Sequence, residues 1–136
     1  MNIALEFESR AYESGKQYCY ETESGILRVG NEERIKQAVA ILIDNALKRS
    51  SGEVRVTAKK DNGKALIEVY NTGDGIDEKD YDKIFERFYR SEESRDRDSG
   101  GYGLGLSIAK SIVDSHKGKI SVKSEKGKWA SFTIVF

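Results

Sequence analysis

The chain has 136 residues, and its 23 lysine and arginine residues balance 23 aspartate and glutamate residues, so the formal net charge at pH 7 is +0. This length fits one domain around a single core. The balanced charge, without a basic face, argues against direct binding of nucleic acid. The single cysteine, Cys19, excludes an internal disulfide and is expected to be a buried or half-buried strand residue.

The N-terminal half alternates helical and extended patterns. A helix is predicted over residues 3–13, a strand over 16–22 and a short strand over 26–29. Asn31 can cap the next helix, which is expected to end near residues 50–52. A strand with the two-residue period of a half-buried surface then leads into a hairpin turn over residues 61–63. The apolar residues at helical spacing in the long helix are Ile35, Ala38, Val39, Leu42 and Ala46.

The C-terminal half is organised around two glycine clusters. The return strand, residues 65–70, ends at the first cluster, and a short helix is predicted over residues 78–87. Residues 91–99 alternate acidic, basic and serine side chains with nothing to bury, so they are predicted to form a flexible loop. The second cluster opens an amphipathic helix, and two alternating strands complete the chain.

Four motifs contain the candidate functional residues. They are Asp44–Lys48 (DNALK), Asn71–Ile76 (NTGDGI), Phe85–Arg90 (FERFYR) and Gly101–Leu106 (GYGLGL). Glycine allows backbone amides to approach phosphate oxygens, and a helix that begins at the second cluster adds its positive dipole end to the same place. This pattern predicts a nucleotide site.

In this order and spacing, the four motifs closely resemble the catalytic, ATP-binding domain of bacterial sensor histidine kinases. The resemblance implies one domain over residues 1–136 with the Bergerat fold. That fold is an α+β two-layer sandwich, a mixed and mostly antiparallel sheet with three helices on one face and a flexible ATP lid at about residues 88–102. The resemblance also implies that the dimerisation and phosphoacceptor domain is absent from this chain.

The resemblance assigns catalytic roles to three residues. Asn45 would bind Mg²⁺, because a neutral amide oxygen suits a cation that bridges phosphates. Lys48 lies one turn later on the same helix face and would meet phosphate oxygens. Arg90 would steady the terminal phosphate. The implied cofactors are ATP and Mg²⁺.

The remaining implied nucleotide contacts lie in the glycine clusters and the lid. Asn71 stands where most of the family has an aspartate that accepts a hydrogen bond from the adenine amine. The carboxamide keeps an acceptor but loses the charge-assisted bond, so we expect adenine preference with weaker affinity. The full set is Asn45, Lys48, Asn71, Gly73, Gly75, Ile76, Tyr89, Arg90, Gly101, Tyr102, Gly103, Leu104, Gly105 and Leu106.

The only histidine, His116, lies at a helix end and lacks the acidic neighbour typical of a phosphoacceptor. The resemblance therefore implies a domain that presents the γ-phosphoryl group of ATP to a histidine on a separate dimerisation domain, with a response regulator as the later acceptor. The isolated domain is expected to be a soluble cytoplasmic monomer, and its parent to be anchored in the bacterial plasma membrane.

Two alternatives remain open, and a third is disfavoured by the residue one turn before Asn45. A clamp-type ATPase needs a water-activating carboxylate one turn before Asn45, and Ile41 stands there, so intrinsic ATP turnover should be negligible. An anti-sigma-factor-type serine kinase shares the nucleotide motifs. A degenerate nucleotide-sensing interaction module is suggested by Asn71 together with two further departures from the family pattern, Arg49 and Trp129.

Overall fold

A computed structural model describes residues 7–22, 32–61, 63–86 and 105–136. In chain order the elements are α1 (Glu8–Glu13), β1 (Gln17–Thr22), α2 (Glu32–Arg49), β2 (Ser50–Asp61), β3 (Lys64–Gly73), a 3-10 turn (Glu78–Asp80), α3 (Gly105–Ser115), β4 (Lys119–Glu125) and β5 (Trp129–Val135). The predicted strand at 26–29, the cap residue Asn31 and the lid at 88–102 lie outside the described residues.

The five strands form one sheet in the order β1-β2-β3-β5-β4. Strand β1 runs parallel to β2, and every other neighbouring pair is antiparallel. The mixed and mostly antiparallel sheet of the sequence analysis is therefore confirmed. The hairpin between β2 and β3 also forms as predicted, with Gly63 at its tip at φ 78°.

A single apolar core lies between the helices and one face of the sheet. All three α-helices of the described segments contribute to it, α1 through Ala11 and the longer two through stripes at helical spacing. Strand β3 alternates buried and part-exposed residues, as a strand with one covered face must. The largest fully buried side chains are Phe132, Ile35, Leu42, Ile43, Ile67, Ile112 and Ile134.

Cys19 is exposed, which corrects the expectation that it is buried or half-buried. The register explains the difference. Tyr18 aligns with the buried Val54, whereas Cys19 aligns with Arg55. Since successive strand residues point to opposite faces, Cys19 lies on the face of the sheet that the helices leave open, on an outer strand.

The segment after β3 forms less helix than predicted. Instead of a helix over residues 78–87, a 3-10 turn at Glu78–Asp80 is followed by further turns up to residue 86. The Asp77 side chain accepts a hydrogen bond from the backbone N–H of Lys79 at 3.2 Å and so starts the turn. Phe85 then packs edge-on against Phe132, with ring centroids 6.0 Å apart. Side-chain anchoring to the sheet thus replaces helical periodicity here.

Within the described ranges, no helix combines the length and the apolar character needed to cross a membrane.

Candidate nucleotide-binding site

Of the two asparagines predicted to contact nucleotide, one lies in the helical layer and the other in the sheet. Asn45 lies on α2, and Asn71 lies near the end of β3 on the helix-covered face, where it is only 2% exposed. Among the described residues, Asn45 Nδ2 and Asn71 Oδ1 are buried without a hydrogen-bond partner. A buried polar atom left unpaired costs about 1–3 kcal/mol. Such atoms at two motif positions therefore fit a site that a bound molecule completes.

The orientation of the Asn71 amide follows from its neighbour. Its Nδ2 donates a hydrogen bond to the carbonyl oxygen of Thr72 at 3.0 Å. The reverse orientation would set two acceptors against each other, so the network fixes Oδ1 as the unpaired atom. Asn71 therefore offers a buried acceptor, which is complementary to an amino group.

The glycine turn, residues 73–77, follows β3 directly and needs glycine at two positions. A Cβ atom on Gly73 would lie 2.5 Å from the backbone oxygen of Arg49, at the end of α2. Gly75 has φ 68°, and its Cβ would lie 2.6 Å from the backbone oxygen of Glu125. Both glycines are thus required by close packing of the turn against α2 and against the β4–β5 hairpin.

Hydrogen bonds to the β4–β5 hairpin support the turn. The backbone N–H of Ile76 donates to Ser124 Oγ at 2.7 Å, and that hydroxyl donates to the backbone oxygen of Trp129 at 2.6 Å. The Gly73 N–H also donates to the backbone oxygen of Lys128 at 3.0 Å. The turn is therefore attached to two strands that are distant from it in sequence.

Charged side chains attach the turn on two sides. On the helix side, Arg49 Nη2 donates to the backbone oxygen of Gly75 at 3.1 Å. On the hairpin side, Lys126 Nζ lies 3.1 Å from Asp77 Oδ2. The backbone hydrogen bond from Lys79, followed by that from the Lys126 ammonium, holds the pKa of Asp77 below its ordinary value.

Lys48 lies in an ion-pair cluster on the surface of α2. Its ammonium is 3.1 Å from Asp44 Oδ2, and the other oxygen of Asp44 is 2.5 Å from Arg10 Nη2. The Lys48 side chain is 39% exposed. An exposed pair of this kind is worth about 1 kcal/mol or less, so Lys48 can exchange Asp44 for a phosphate oxygen at small cost.

Helix α3 begins beside α2. Gly105 opens α3, and a Cβ built on Gly105 would lie 3.4 Å from Cγ2 of Ile41. The first turn of α3 contains no acidic residue, so no carboxylate of that turn would compete with an anion at the positive end of the helix dipole. Leu106 is part-buried against the core. Ile41 thus lies at the start of α3 and brings no carboxylate there.

The described structure covers only part of the predicted site. It brings Asn71, Gly73, Gly75 and Ile76 together in and before one turn, and it places Asn45 and Lys48 on α2. Six predicted residues lie outside the described residues: Tyr89, Arg90, Gly101, Tyr102, Gly103 and Leu104.

Two residues at the site were missed or left without a role by sequence reasoning. Ser124 carries no motif, and its link to Ile76 spans 48 positions. Only the alternation along β4, which puts Ser124 in register with the buried Ala130, signals that it faces inward. Arg49 was recognised as a departure from the family pattern, but its bond to Gly75 depends on the tertiary fold.

Comparison with known proteins agrees with this geometry. The family described as "Histidine kinase-, DNA gyrase B-, and HSP90-like ATPase" matches residues 30–136. Sensor histidine kinase YkoH of Bacillus subtilis (strain 168) is 46% identical over 114 residues, which are 84% of this chain and 25% of YkoH. The chain thus spans about a quarter of the length of this curated relative.

Solved structures give the same result. The chain superposes on full-length ShkA in complex with AMPPNP with a TM-score of 0.83 at 27% identity, over 98% of this chain and 28% of ShkA. The nucleotide-free catalytic domain of histidine kinase ThkA gives 0.82 at 28% identity, over 99% and 87% of the two chains. ThkA in complex with response regulator protein TrrA gives 0.77 at 26% identity, over 99% and 38%.

The sheet, the glycine turn and the matched residues define the class. The chain belongs to the family of histidine kinase-, DNA gyrase B- and HSP90-like ATPases. Within that family it is an ATP-binding catalytic domain of the sensor histidine kinase type, with the α+β Bergerat fold.

Proposed function

We propose that this domain binds Mg²⁺-ATP and donates the γ-phosphoryl group to a histidine on a separate dimerisation domain of a two-component sensor kinase. One observation carries the proposal: Asn45 and Asn71, on α2 and β3, each have a buried amide atom without a partner in the described structure. An acceptor on β3 suits the adenine amine, and a carboxamide on α2 suits the phosphate end.

The residues present fit a magnesium ion shared with phosphate oxygens. No group of three or more histidine, cysteine, aspartate or glutamate side chains that could hold a metal occurs in the described segments. Since Asn45 Nδ2 makes no hydrogen bond there, a half-turn of the amide would present Oδ1 without breaking a bond from Nδ2. When bound, Mg²⁺ would offset phosphate charge and orient the transferring group.

The residues of this chain would bind the nucleotide and position its phosphates. Asn71 orients the base, Lys48 leaves Asp44 to contact phosphate oxygens, and the positive dipole end of α3 at Gly105 faces negative charge. By family resemblance Arg90 would steady the terminal phosphate, and Tyr89, Tyr102 and the second glycine cluster would supply the remaining nucleotide contacts. Positioning and charge stabilisation account for most of the catalysis in phosphoryl transfer.

The acceptor histidine would lie on another domain. His116 Nδ1 contacts the backbone oxygen of Ile112 at 2.8 Å, and its ring packs edge-on against Phe136 with a centroid separation of 6.2 Å. It follows the far end of α3, so about 16 Å of helix separates it from Gly105. The proposed partners are a phosphoacceptor domain and, through it, a response regulator, consistent with the complex that ThkA forms with TrrA. The proposed parent is anchored in the membrane, and the isolated domain is a monomer.

Calorimetric titration with ATP and with AMPPNP, each with and without Mg²⁺, tests the nucleotide step. We expect Asn45→Ala to abolish the magnesium-dependent part of binding and Asn71→Ala to weaken binding of the base. Gln37→Ala, an exposed change on the same helix as Asn45, is the matched control and should bind as the native domain does. Absence of nucleotide binding in the native domain would refute the proposal and favour a degenerate interaction module.

The acceptor is tested by adding the parent's dimerisation domain, or a peptide substrate, with radiolabelled ATP. Acid-labile and base-stable label on the dimerisation domain supports histidine phosphorylation. Acid-stable label on a serine would favour the serine kinase alternative. Steady release of phosphate by the domain alone would contradict the role assigned to the apolar Ile41 position.

A further inference from the structure

We propose that Ser124 is a positioning residue that sets the conformation of the glycine turn, and so controls nucleotide affinity without touching the nucleotide. This inference rests on the proposed function. It comes from the hydrogen bonds that join the turn to the β4–β5 hairpin.

Ser124 holds three groups at once. Its Oγ accepts from the backbone N–H of Ile76 at 2.7 Å and donates to the backbone oxygen of Trp129 at 2.6 Å. Its own backbone oxygen accepts from the Tyr81 hydroxyl at 3.0 Å. One residue therefore joins the glycine turn, the segment that follows it and the start of β5.

The chemistry of this position requires a hydroxyl. On one side stands a backbone N–H, which needs an acceptor, and on the other a backbone oxygen, which needs a donor. A hydroxyl is both donor and acceptor, and its proton can rotate to serve the second partner. An alanine side chain would leave the Ile76 N–H and the Trp129 oxygen without this link.

The same atom also fixes how closely the turn approaches the hairpin. A Cβ on Gly75 would lie 2.8 Å from Ser124 Oγ. Gly75 lies two positions after Gly73 and immediately before Ile76, so its placement determines the path of the chain away from Asn71. If the turn shifts, the Asn71 acceptor and the turn can no longer fit one base together. The expected consequence of losing Ser124 is weaker binding, not only lower stability.

Ser124→Ala, Ser124→Thr and Ser121→Ala test the proposal in the whole domain. Ser121 is exposed on β4 and is in register with Thr133, so Ser121→Ala removes a hydroxyl from the same strand without touching the turn. The Kd for AMPPNP with Mg²⁺ is measured by calorimetry, and the free energy of unfolding by denaturant titration. We expect the Kd to rise about tenfold in Ser124→Ala and to stay near the native value in Ser124→Thr and Ser121→Ala.

The rate of amide hydrogen exchange at Ile76, monitored by NMR, distinguishes loss of this one hydrogen bond from a general loss of packing. Exchange at Ile76 should accelerate in Ser124→Ala but not in Ser121→Ala, while the central β3 amides keep their protection. An unchanged Kd in Ser124→Ala, even with lower stability, would overturn the proposal. Equal loss in the alanine and threonine variants would also overturn it, since the hydroxyl would then not matter. Failure of the native domain to bind AMPPNP would instead overturn the proposed function.

Discussion

The helix-covered face of the sheet and the glycine turn at its end contain residues of similar burial that are held by different forces. Phe132, on the covered face, and Ile76, in the turn, are 1% and 5% exposed. Phe132 is surrounded by apolar side chains, so many weak contacts share its stabilisation. The turn depends on a few hydrogen bonds: Arg49 donates to it, and its own backbone N–H groups donate to Ser124 and Lys128. Changes in the first region should therefore lower stability, whereas changes in the second should lower ligand affinity.

Phe132→Ala should have the largest effect on stability. Loss of a fully buried aromatic ring costs about 3–5 kcal/mol, which denaturant unfolding of the purified domain would measure. Because Phe132 has no hydrogen bond to the turn, the Kd for AMPPNP under conditions where the variant is folded should stay within about twofold of the native value. A tenfold weaker Kd in the folded variant would show that the core and the turn are not separate.

Gly75→Ala should have the largest effect on binding. The added Cβ would meet backbone oxygens at 2.6 Å and 3.0 Å, and the residue would keep a positive φ. We expect the Kd for AMPPNP to rise tenfold or more and stability to fall by about 1–3 kcal/mol. Gly63→Ala is the matched control, because φ is 78° there but nothing lies within 4 Å of its Cβ. Equal Kd values for the two variants would contradict this assignment.

Arg49→Met tests the helix-side attachment of the turn. The guanidinium bond to Gly75 is a charged donor on a backbone oxygen, of a type worth about 1.5–3 kcal/mol when buried and less at a part-exposed site. We expect the Kd for AMPPNP to rise about fivefold, measured by calorimetry beside Arg49→Lys. The lysine variant keeps a charged donor and should lie between Arg49→Met and the native domain. Native affinity in Arg49→Met would show that the hairpin alone positions the turn.

Asp77→Asn should have the smallest effect, and it should depend on pH. Because the folded pKa of Asp77 is lowered, its contribution to stability is present above the unfolded pKa of about 3.9 and is lost as the pH falls through the folded pKa. Denaturant titrations at about pH 6 and about pH 3 would measure the free energy of unfolding. The native domain should lose more of this free energy over that range than Asp77→Asn does. Lys126→Met, which removes only the second partner, should lie between them. Parallel pH profiles for all three proteins would refute the role of Asp77.

Much of the fold could be predicted from local pattern. The long helix α2 and the β2–β3 hairpin follow from 3.6-residue and two-residue periods over many positions, so tertiary contacts reinforce what the sequence already favours. Local pattern does not predict how strand β1 pairs in the sheet. Its parallel pairing with β2 and the exposure of Cys19 depend on which edge of the sheet it joins, and no local pattern specifies that choice.

Some residues of the candidate site could likewise be predicted from the sequence, and others could not. Asn45 and Asn71 could be proposed as site residues from the sequence because their motifs are contiguous. Ser124 could not, because a serine in a strand has no distinctive signature and its partner Ile76 belongs to another part of the chain. The segment after Asp77 was predicted to be a short helix, but Phe85 packs against Phe132 of the core and this tertiary contact overrides local propensity.

The hydrogen bond from Ser124 to the backbone oxygen of Trp129 links the glycine turn to a fluorescent residue. Trp129 is the only tryptophan in the chain, and its ring lies 5.9 Å from that of Tyr70 on the open face of the sheet. Its backbone oxygen receives the last bond of the series that begins at the glycine turn. Any ligand that reorders the turn acts on the residue that dominates the intrinsic fluorescence. We expect occupancy of the site to change the emission of this one indole, so that binding could be followed without a label.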